Sequence, residues 1–541
     1  MNNQPYHTLY LCEKPSQART LAKQVGAGTY EDGVYTGRGA VVLSAYGHLL
    51  NLSMPEEYSH DHDHGPWSLE KLPILPEKWE WKVKENHLQH YHKVGQWLDR
   101  VKTAVIATDP DDEGEVIGRQ ILYAFGFKGN ILRLWASALD PDSLNQALKN
   151  LLPLSATDTV YRAGCVRRQL DWLYGINLSR AFSLRLGKPT GIGRVKTRLL
   201  TELVNRENEI MRFKPMSFYT TQALFQDVVL DWQTTSPCIA PPRLSPAGNV
   251  TGICIAASQS QELLPPPLPL TLSALLANAA DMGIDLTSAY AAVQNLYEAG
   301  AISYPRTSST EMPNVGARGF AAHHAIINTM ESCPVWLTED ARAIFRMVHI
   351  NCTMQMIGDA TPNVRKLVFD IGGEIFAATD YWLDPLKIHD AGWLLCEPDR
   401  HTPLLENSKT AMFKPGDKIN ATLRVERKQT VPPARYTEAE LLRHMASAGI
   451  GTEATRVEAI NTLVKDQVAN RTEVKTKWSL ELSPTESGMH LIDHLPSSIT
   501  GSAMENMLRN ALKNVRNGQV SLSGHLLDAF KWLTLTIHGI S

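Results

Sequence analysis

The sequence predicts a multidomain chain that opens on a parallel α/β sheet and continues through separate helical and β-rich blocks. Three observations lead there. The chain has 541 residues, several times the roughly 100–200 of a single domain. Its first part alternates short apolar runs with helical patterns, as parallel strands joined by crossover helices do. Beyond residue 155 the pattern changes in long blocks, from helical to strand-like and back.

His7–Cys12 (HTLYLC) reads as a short buried strand ending at Glu13, and Pro15–Val25 as a helix. Val101–Thr108 (VKTAVIAT) is a second such strand, followed at once by Asp109 and a helical pattern through Val116, Ile117, Ile121 and Leu122. Ligands of such sheets bind beyond the carboxyl ends of the strands, where both acidic segments of this region begin. Residues 155–215 are mainly helical, and 216–265 are strand-like, poor in charge and rich in Pro and Ser. The run Pro265-Pro266-Pro267-Leu268-Pro269 cannot continue a helix and reads as a hinge or strut. Helices return over 272–350 and β-like sequence to 430. Thr437…Glu440 forms a capping box ahead of Leu441, Leu442 and Met445, with Gly449 as C-cap. Thr455…Glu458 predicts a second capping box, starting a helix with Val457, Ile460 and Val464 on one face. No internal repeat is present.

Hydrophobic residues make up 43% and charged residues 20%, which places the chain among globular proteins and away from disordered or fibrous ones. No apolar run reaches the roughly 18–20 residues of a membrane span. Glu13, Lys14 and Arg19 stand where a leader's apolar core would lie, so no secretory leader is expected. Seven scattered cysteines without C-x-x-C argue against a disulfide framework or a zinc ribbon and for a reducing, cytosolic compartment. Net charge is −3, yet Tyr161–Pro215 holds 12 Lys/Arg against 4 Asp/Glu. That excess suits either a localised phosphate track or a solvated helix face.

Several constellations could carry chemistry. In Thr108-Asp109-Pro110-Asp111-Asp112-Glu113-Gly114-Glu115 the carboxylates at 109, 111 and 113 would share one side of an extended strand end. Such a cluster invites a cation, and oxygen-only ligands suit Mg²⁺. The alternative is an acidic helix N-terminus. Glu13-Lys14-Pro15-Ser16 offers a general acid and a phosphate-positioning cation, or a simple exposed ion pair. In Gly300-Ala301-Ile302-Ser303-Tyr304-Pro305-Arg306-Thr307 a helix through Tyr290, Val293, Leu296 and Tyr297 ends at Gly300. Pro305 biases Tyr304 toward extended backbone, so Tyr304 and Arg306 face one way. The guanidinium would neutralise phosphoryl oxygens and lower the phenol pKa; the alternative is a packed Tyr with a structural Arg. His323 and His324 diverge on any regular element, against a shared metal, though one could bind phosphate. Gly191-Ile192-Gly193-Arg194-Val195-Lys196-Thr197 suits a close approach to a phosphate chain. No G-x-x-x-x-G-K-[ST] occurs, so no ATP site is expected. His60, His62 and His64 read as a surface loop.

Taken in order, LCEKPSQARTLA, AYGHLLNL, WSLEKLPILPEKW, ATDPDDEGE, RRQLDWLYGINLSRA, GIGRVKT…RENEIMRFKP, LYEAGAISYPRTSS, AHHAII, ARYTEAELL…GIGTEATR and LSPTESG resemble the type IA DNA topoisomerases, especially the bacterial topoisomerase III branch. The resemblance runs over nearly the whole chain. It implies a four-domain toroid with a Rossmann-like Toprim domain over 1–155. A domain carrying a single-strand groove would span 156–215 and 431–541, a β arch 216–265 and 355–430, and a mobile domain with the nucleophile 266–354. By motif position Tyr304 would form a 5′-phosphotyrosyl link, Glu13 would be the general acid, and Lys14 and Arg306 would stabilise the transferring phosphoryl group. His323 would position the phosphate. Glu13, Asp109, Asp111 and Glu113 would hold Mg²⁺, with Mn²⁺ as an alternative. Arg167, Arg168, Arg194 and Lys196 would grip the DNA backbone. The resemblance further implies an ATP-independent monomer without zinc, acting in the cytoplasm on single-stranded or negatively supercoiled DNA. Relaxation is the expected outcome, and decatenation is left open.

The sequence also departs from the family pattern. Asp112 stands where the family has a basic residue, Ser308 where it has an acidic one four beyond the Tyr, and Asn328 where Pro is common. The 19 positions from Tyr304 to His323 are few, and the segment before Pro265 is compact. A topoisomerase-derived, catalytically silent DNA-binding protein therefore stands as an alternative. So does another Toprim nuclease, which has no need of the Tyr304–Arg306 segment or GIGTEATR.

Overall fold

A computed structural model describes residues 6–58, 66–234, 249–313, 324–384, 387–397, 413–474, 479–518 and 522–539. The expectations for His60, His62, His64 and His323 lie outside the described residues. The chain divides into two units, one of Met1–Asn205, Leu270–Phe345 and Arg435–Ser541, the other of Arg206–Pro269 and Arg346–Ala434.

The first unit begins with strands β1 (Thr8–Cys12), β2 (Thr29–Glu31), β3 (Val34–Gly37) and β4 (Ala40–Ser44). A small ribbon of β5 (Leu50–Leu52) and β6 (Trp81–Val83) follows, then β7 (Thr103–Ala107), β8 (Asn130–Arg133) and β9 (Leu152–Pro153). Helices α1 (Pro15–Val25), α2 (Leu88–Leu98), α3 (Asp112–Ala124) and α4 (Pro141–Lys149) lie between them. The main sheet has the order β2-β3-β4-β1-β7-β8-β9. Strand β1 runs parallel to β4 and β7, and β7 parallel to β8. The centre of the sheet is thus parallel, as expected, while its edges are antiparallel. On the β2-β3-β4 edge the physical reason is two tight turns. Asp32-Gly33 and Arg38-Gly39 all have positive φ, the geometry of two-residue hairpins.

Leu9, Leu11, Val41, Leu43, Ala104 and Ile106 are fully buried against Val94 and Leu98 of α2 and Ile117 and Ile121 of α3. Each large side chain of this kind contributes about 1.5–3 kcal/mol. Helix α5 (Asp158–Leu186) packs against α3 and against the helices Ala503–Arg516 and Leu522–His538. Its Gly164 is required by that crossing, since a Cβ there would lie 2.5 Å from the Asp112 carbonyl oxygen. Helix α6 (Arg194–Arg212) follows. Later come α7 (Leu272–Asp281) and α8 (Leu286–Glu298).

The capping box at Thr437 and Glu440 forms, and Gly449 closes that helix at φ 67°. The second expected box does not form. Thr455 precedes the helix Arg456–Lys465 with near-helical φ −109° and ψ −14°. Its hydroxyl therefore turns back and accepts from the Thr452 N–H at 2.9 Å.

The second unit is built on a closed barrel of β10 (Ser217–Phe225), β11 (Val228–Trp232), β12 (Asn249–Gln261), β13 (Asn363–Ile371), β14 (Glu374–Trp382) and β15 (Lys418–Gln429). Alternating inward residues, among them Ala223, Leu230, Leu367, Phe369 and Phe376, fill it. The proline run lies between β12 and α7 in the chain. Among the described residues no helix is long and apolar enough to cross a membrane.

Candidate active site

The site forms where β1 and β7 end. Strand β1 stops at Cys12 and α1 starts at Pro15, leaving Glu13 and Lys14 at the carboxyl edge of the sheet. After β7 the chain turns through Thr108–Asp111 into α3. Arg133, fully buried, holds that turn. Its guanidinium donates to the Thr108 carbonyl at 2.8 Å and the Asp109 carbonyl at 2.7 Å, while the buried Glu115 balances its charge. Gly114 lets α3 start so close, because a Cβ there would fall 2.1 Å from the Asp109 carbonyl oxygen. The sequence reading gives Arg133 no place and Glu115 no role of its own beyond closing the acidic segment, although a charge inside an apolar strand and an acid in an apolar helix face are visible signals.

The expectation that Asp109, Asp111 and Glu113 share one side is corrected. Helix α3 begins at Asp112, so strand alternation ends before Glu113. Asp111 is the N-cap, accepting from the Gly114 N–H at 2.7 Å. Glu113 turns to His48 at 2.8 Å and Arg168 at 3.6 Å. Against the opposing effect of its partial burial, these partners pull its carboxyl down to about 2. Among the described residues no three His, Cys, Asp or Glu side chains form a metal cage.

Tyr304 meets Asp111 instead. Helix α8 ends before Gly300, whose φ of 69° turns the chain against the Leu139–Asp140 backbone. Ser303 bridges to Ala138, and the Tyr304 N–H donates to the Ser137 carbonyl at 2.7 Å. The Tyr304 side chain is buried, and its hydroxyl donates to Asp111 Oδ2 at 2.5 Å. Arg306 Nη1 lies 3.6 Å from Asp109 Oδ2 and 3.9 Å from Asp111 Oδ2, and Lys14 Nζ 3.6 Å from Asp109 Oδ2. Tyrosine and arginine thus face one way, as the sequence predicts. The phenol pKa does not fall, however. Burial, Asp111 and Asp109 raise it well above its ordinary value against the opposing effect of Arg306.

Glu13 is 5% exposed. Burial first, then Asp109 and Asp111, push its carboxyl up to about 8 against the pull of Lys14 and Arg306. Glu13 Oε2 and Asp109 Oδ2 are buried without a hydrogen-bond partner. A Glu13 oxygen without a hydrogen bond and an Asp109 oxygen held only by two ion pairs at 3.6 Å, beside a third carboxylate, fit a Mg²⁺ held by one or two carboxylates and shared with a phosphate.

An open cleft of about 1290 Å³ leads from this cluster and is lined by Arg167, Arg168, Arg306, Arg456, Arg509 and Arg516, with Trp135 and Trp172. Arg167 pairs with Asp112 at 2.9 Å, and Arg168 lies over the Trp81 ring. Arg194 and Lys196 do not line the cleft; Arg194 pairs at 2.9 Å with Asp171, which does, and Lys196 with Asp466. Arg509 and Arg516 were missed, though both sit with Lys513 on the helix Ala503–Arg516 at spacings that make a basic face.

The DNA topoisomerase family model matches residues 155–321 and 315–526, and the Toprim domain model residues 8–139. The chain belongs to the type IA DNA topoisomerases. DNA topoisomerase 3 of Haemophilus influenzae is 28% identical over 95% of this chain and 91% of its own. DNA topoisomerase 3 of Bacillus licheniformis is 25% identical over 98% and 81%. The full-length topoisomerase I of Thermotoga maritima shares the fold, with a TM-score of 0.78 at 20% identity over 98% of this chain and 90% of that one. In this type IA topoisomerase the departure at Asp112 is absorbed locally by the ion pair with Arg167. GIGTEATR acquires a reason as well. Glu453 accepts from the Ser273 N–H and hydroxyl, each at 2.7 Å, and Arg456 joins both residues.

Proposed function

We propose that Tyr304 cleaves one DNA strand, forming a 5′-phosphotyrosyl ester, and that the reverse step reseals it. The observation that carries this reading is the 2.5 Å hydrogen bond from the Tyr304 hydroxyl to Asp111, beside a carboxyl-terminal sheet edge that also holds Glu13, Lys14, Asp109 and Arg306. The Tyr304 oxygen bonds to phosphorus as its proton passes to Asp111 Oδ2. The P–O3′ bond breaks, and Glu13 gives the leaving oxygen its proton. Lys14 and Arg306, now turned toward Asp109, neutralise the phosphoryl oxygens. Glu13, Asp109, Asp111 and Glu113 would hold Mg²⁺, which would supply further positive charge there; Glu113 also fixes His48 and Arg168. Exchanging one phosphodiester for another conserves most of the bond energy, so the cycle needs no ATP.

The substrate is single-stranded or negatively supercoiled DNA, gripped through Arg167 and Arg168 in the cleft and through Arg194 and Lys196, which here pair with Asp171 and Asp466. His323 keeps its expected phosphate-positioning part. The chain works as a monomer in the cytoplasm. Residues 1–155 act as the Toprim domain, 156–215 with 431–541 as the strand-binding domain, 216–265 with 355–430 as the arch, and 266–354 as the moving part. The test is denaturant trapping of a covalent adduct on a single-stranded oligonucleotide with Mg²⁺, alongside relaxation of negatively supercoiled plasmid without ATP. Tyr304→Phe should lose the adduct and retain strand binding; an adduct that persists in Tyr304→Phe rejects the nucleophile.

A further inference from the structure

We infer that Gln17 is a positioning residue for strand cleavage, tying the Glu13–Lys14 corner to Asp109. The assignment rests on the reading of Glu13, Asp109 and Tyr304 as the cleavage centre. Gln17 is 3% exposed, on the first turn of α1. Its Oε1 accepts from the Glu13 and Lys14 backbone N–H groups, each at 3.2 Å. Its Nε2 donates to Asp109 Oδ1, from a residue 92 positions away.

The first two bonds alone would make Gln17 a helix cap, since a glutamine at the third helical position commonly reaches back to the N-cap N–H. The third bond goes further. It occupies one oxygen of Asp109 and fixes the carboxylate plane. The other oxygen then faces Lys14 Nζ and Arg306 Nη1, both at 3.6 Å. A single amide thus sets where the general acid's backbone stands and which way the acidic partner of both cations points. Groups that orient a charged reacting shell in this way typically matter 10–100-fold in activity, to order of magnitude.

Two substitutions separate the cap from the tie. Gln17→Leu removes all three bonds at similar volume. Gln17→Glu keeps the acceptor for Glu13 and Lys14 but sets a carboxylate against Asp109. The full-length chain would be assayed for affinity to a single-stranded oligonucleotide, for the single-turnover rate of covalent adduct formation, and for melting temperature. Both variants are expected to bind the oligonucleotide as the wild type does and to form the adduct about 10–100-fold more slowly. Gln17→Glu cleaving at the wild-type rate would reduce Gln17 to a cap and overturn the assignment. So would a loss of rate that merely follows a loss of binding and of melting temperature. If Gln17→Leu does not fold, Gln17→Glu decides alone. A wild-type chain that forms no adduct rejects the underlying reading, and this assignment with it.

Discussion

Tyr304 is a poor nucleophile in the resting structure, since burial and two carboxylates keep its proton on. Its readiness comes from placement, with an acceptor for that proton already bonded to it. Asp111→Asn retains a side-chain acceptor but cannot take the proton. It is expected to slow adduct formation about 10²–10⁴-fold, the usual worth of a positioned base, with oligonucleotide binding unchanged. An unaltered rate would mean the proton leaves by another route. Gly114→Ala probes the same corner sterically. Its Cβ would fall 2.1 Å from the Asp109 carbonyl oxygen, so α3 or the acidic turn must shift. We expect a loss of about 1–3 kcal/mol in thermal unfolding, together with impaired cleavage.

Helix α7 is anchored at its start by a buried polar knot. Thr271 caps it, and Glu453 with Arg456 holds Ser273. Glu453→Ala would leave Arg456 buried without its counter-charge, a change expected to cost about 3–5 kcal/mol. Hydrogen exchange should show the loss first at α7 and at Gly449–Arg456; uniform protection there would reject the anchor. The same elements show why the fold was only partly legible. The segments Pro15–Val25, Glu438–Ala448 and the end of α8 carry their own punctuation: a proline, a capping box and a glycine. Strands β2 and β3 were overlooked because three or four residues are too few to show a period, although Asp32-Gly33 marked the turn. The acidic segment was read as extended because alternation assumes that the strand continues. Asp111 followed by Asp112, Glu113 and Glu115 is equally the signature of a capped helix start. The tie between Glu453 and Ser273 spans 180 positions, and nothing local in sequence announces it.

The chain as a whole carries a net charge of −3, so its attraction for a polyanion must be local. Four of the cleft arginines are faced by carboxylates: Arg167 by Asp112, Arg168 by Glu113, Arg306 by Asp109 and Asp111, and Arg456 by Glu453. These pairs shape the wall but dilute its field. Arg509 and Arg516 also line the cleft, two helical turns apart on the helix Ala503–Arg516; Arg516 shares Asp112 with Arg167, and both are exposed at the end of a basic helix face. Each phosphate neutralised on a single strand changes the slope of log K against log salt by about 0.7. Arg509→Ala and Arg516→Ala should therefore each flatten that slope by about 0.7 and the double variant by ~1.4, uniformly across oligonucleotide sequences. Neither change should move the melting temperature, because these side chains support no buried network. Fluorescence anisotropy across a salt series reads the slope directly. A double variant that keeps the wild-type slope would show that the phosphodiester track does not run along Arg509 and Arg516.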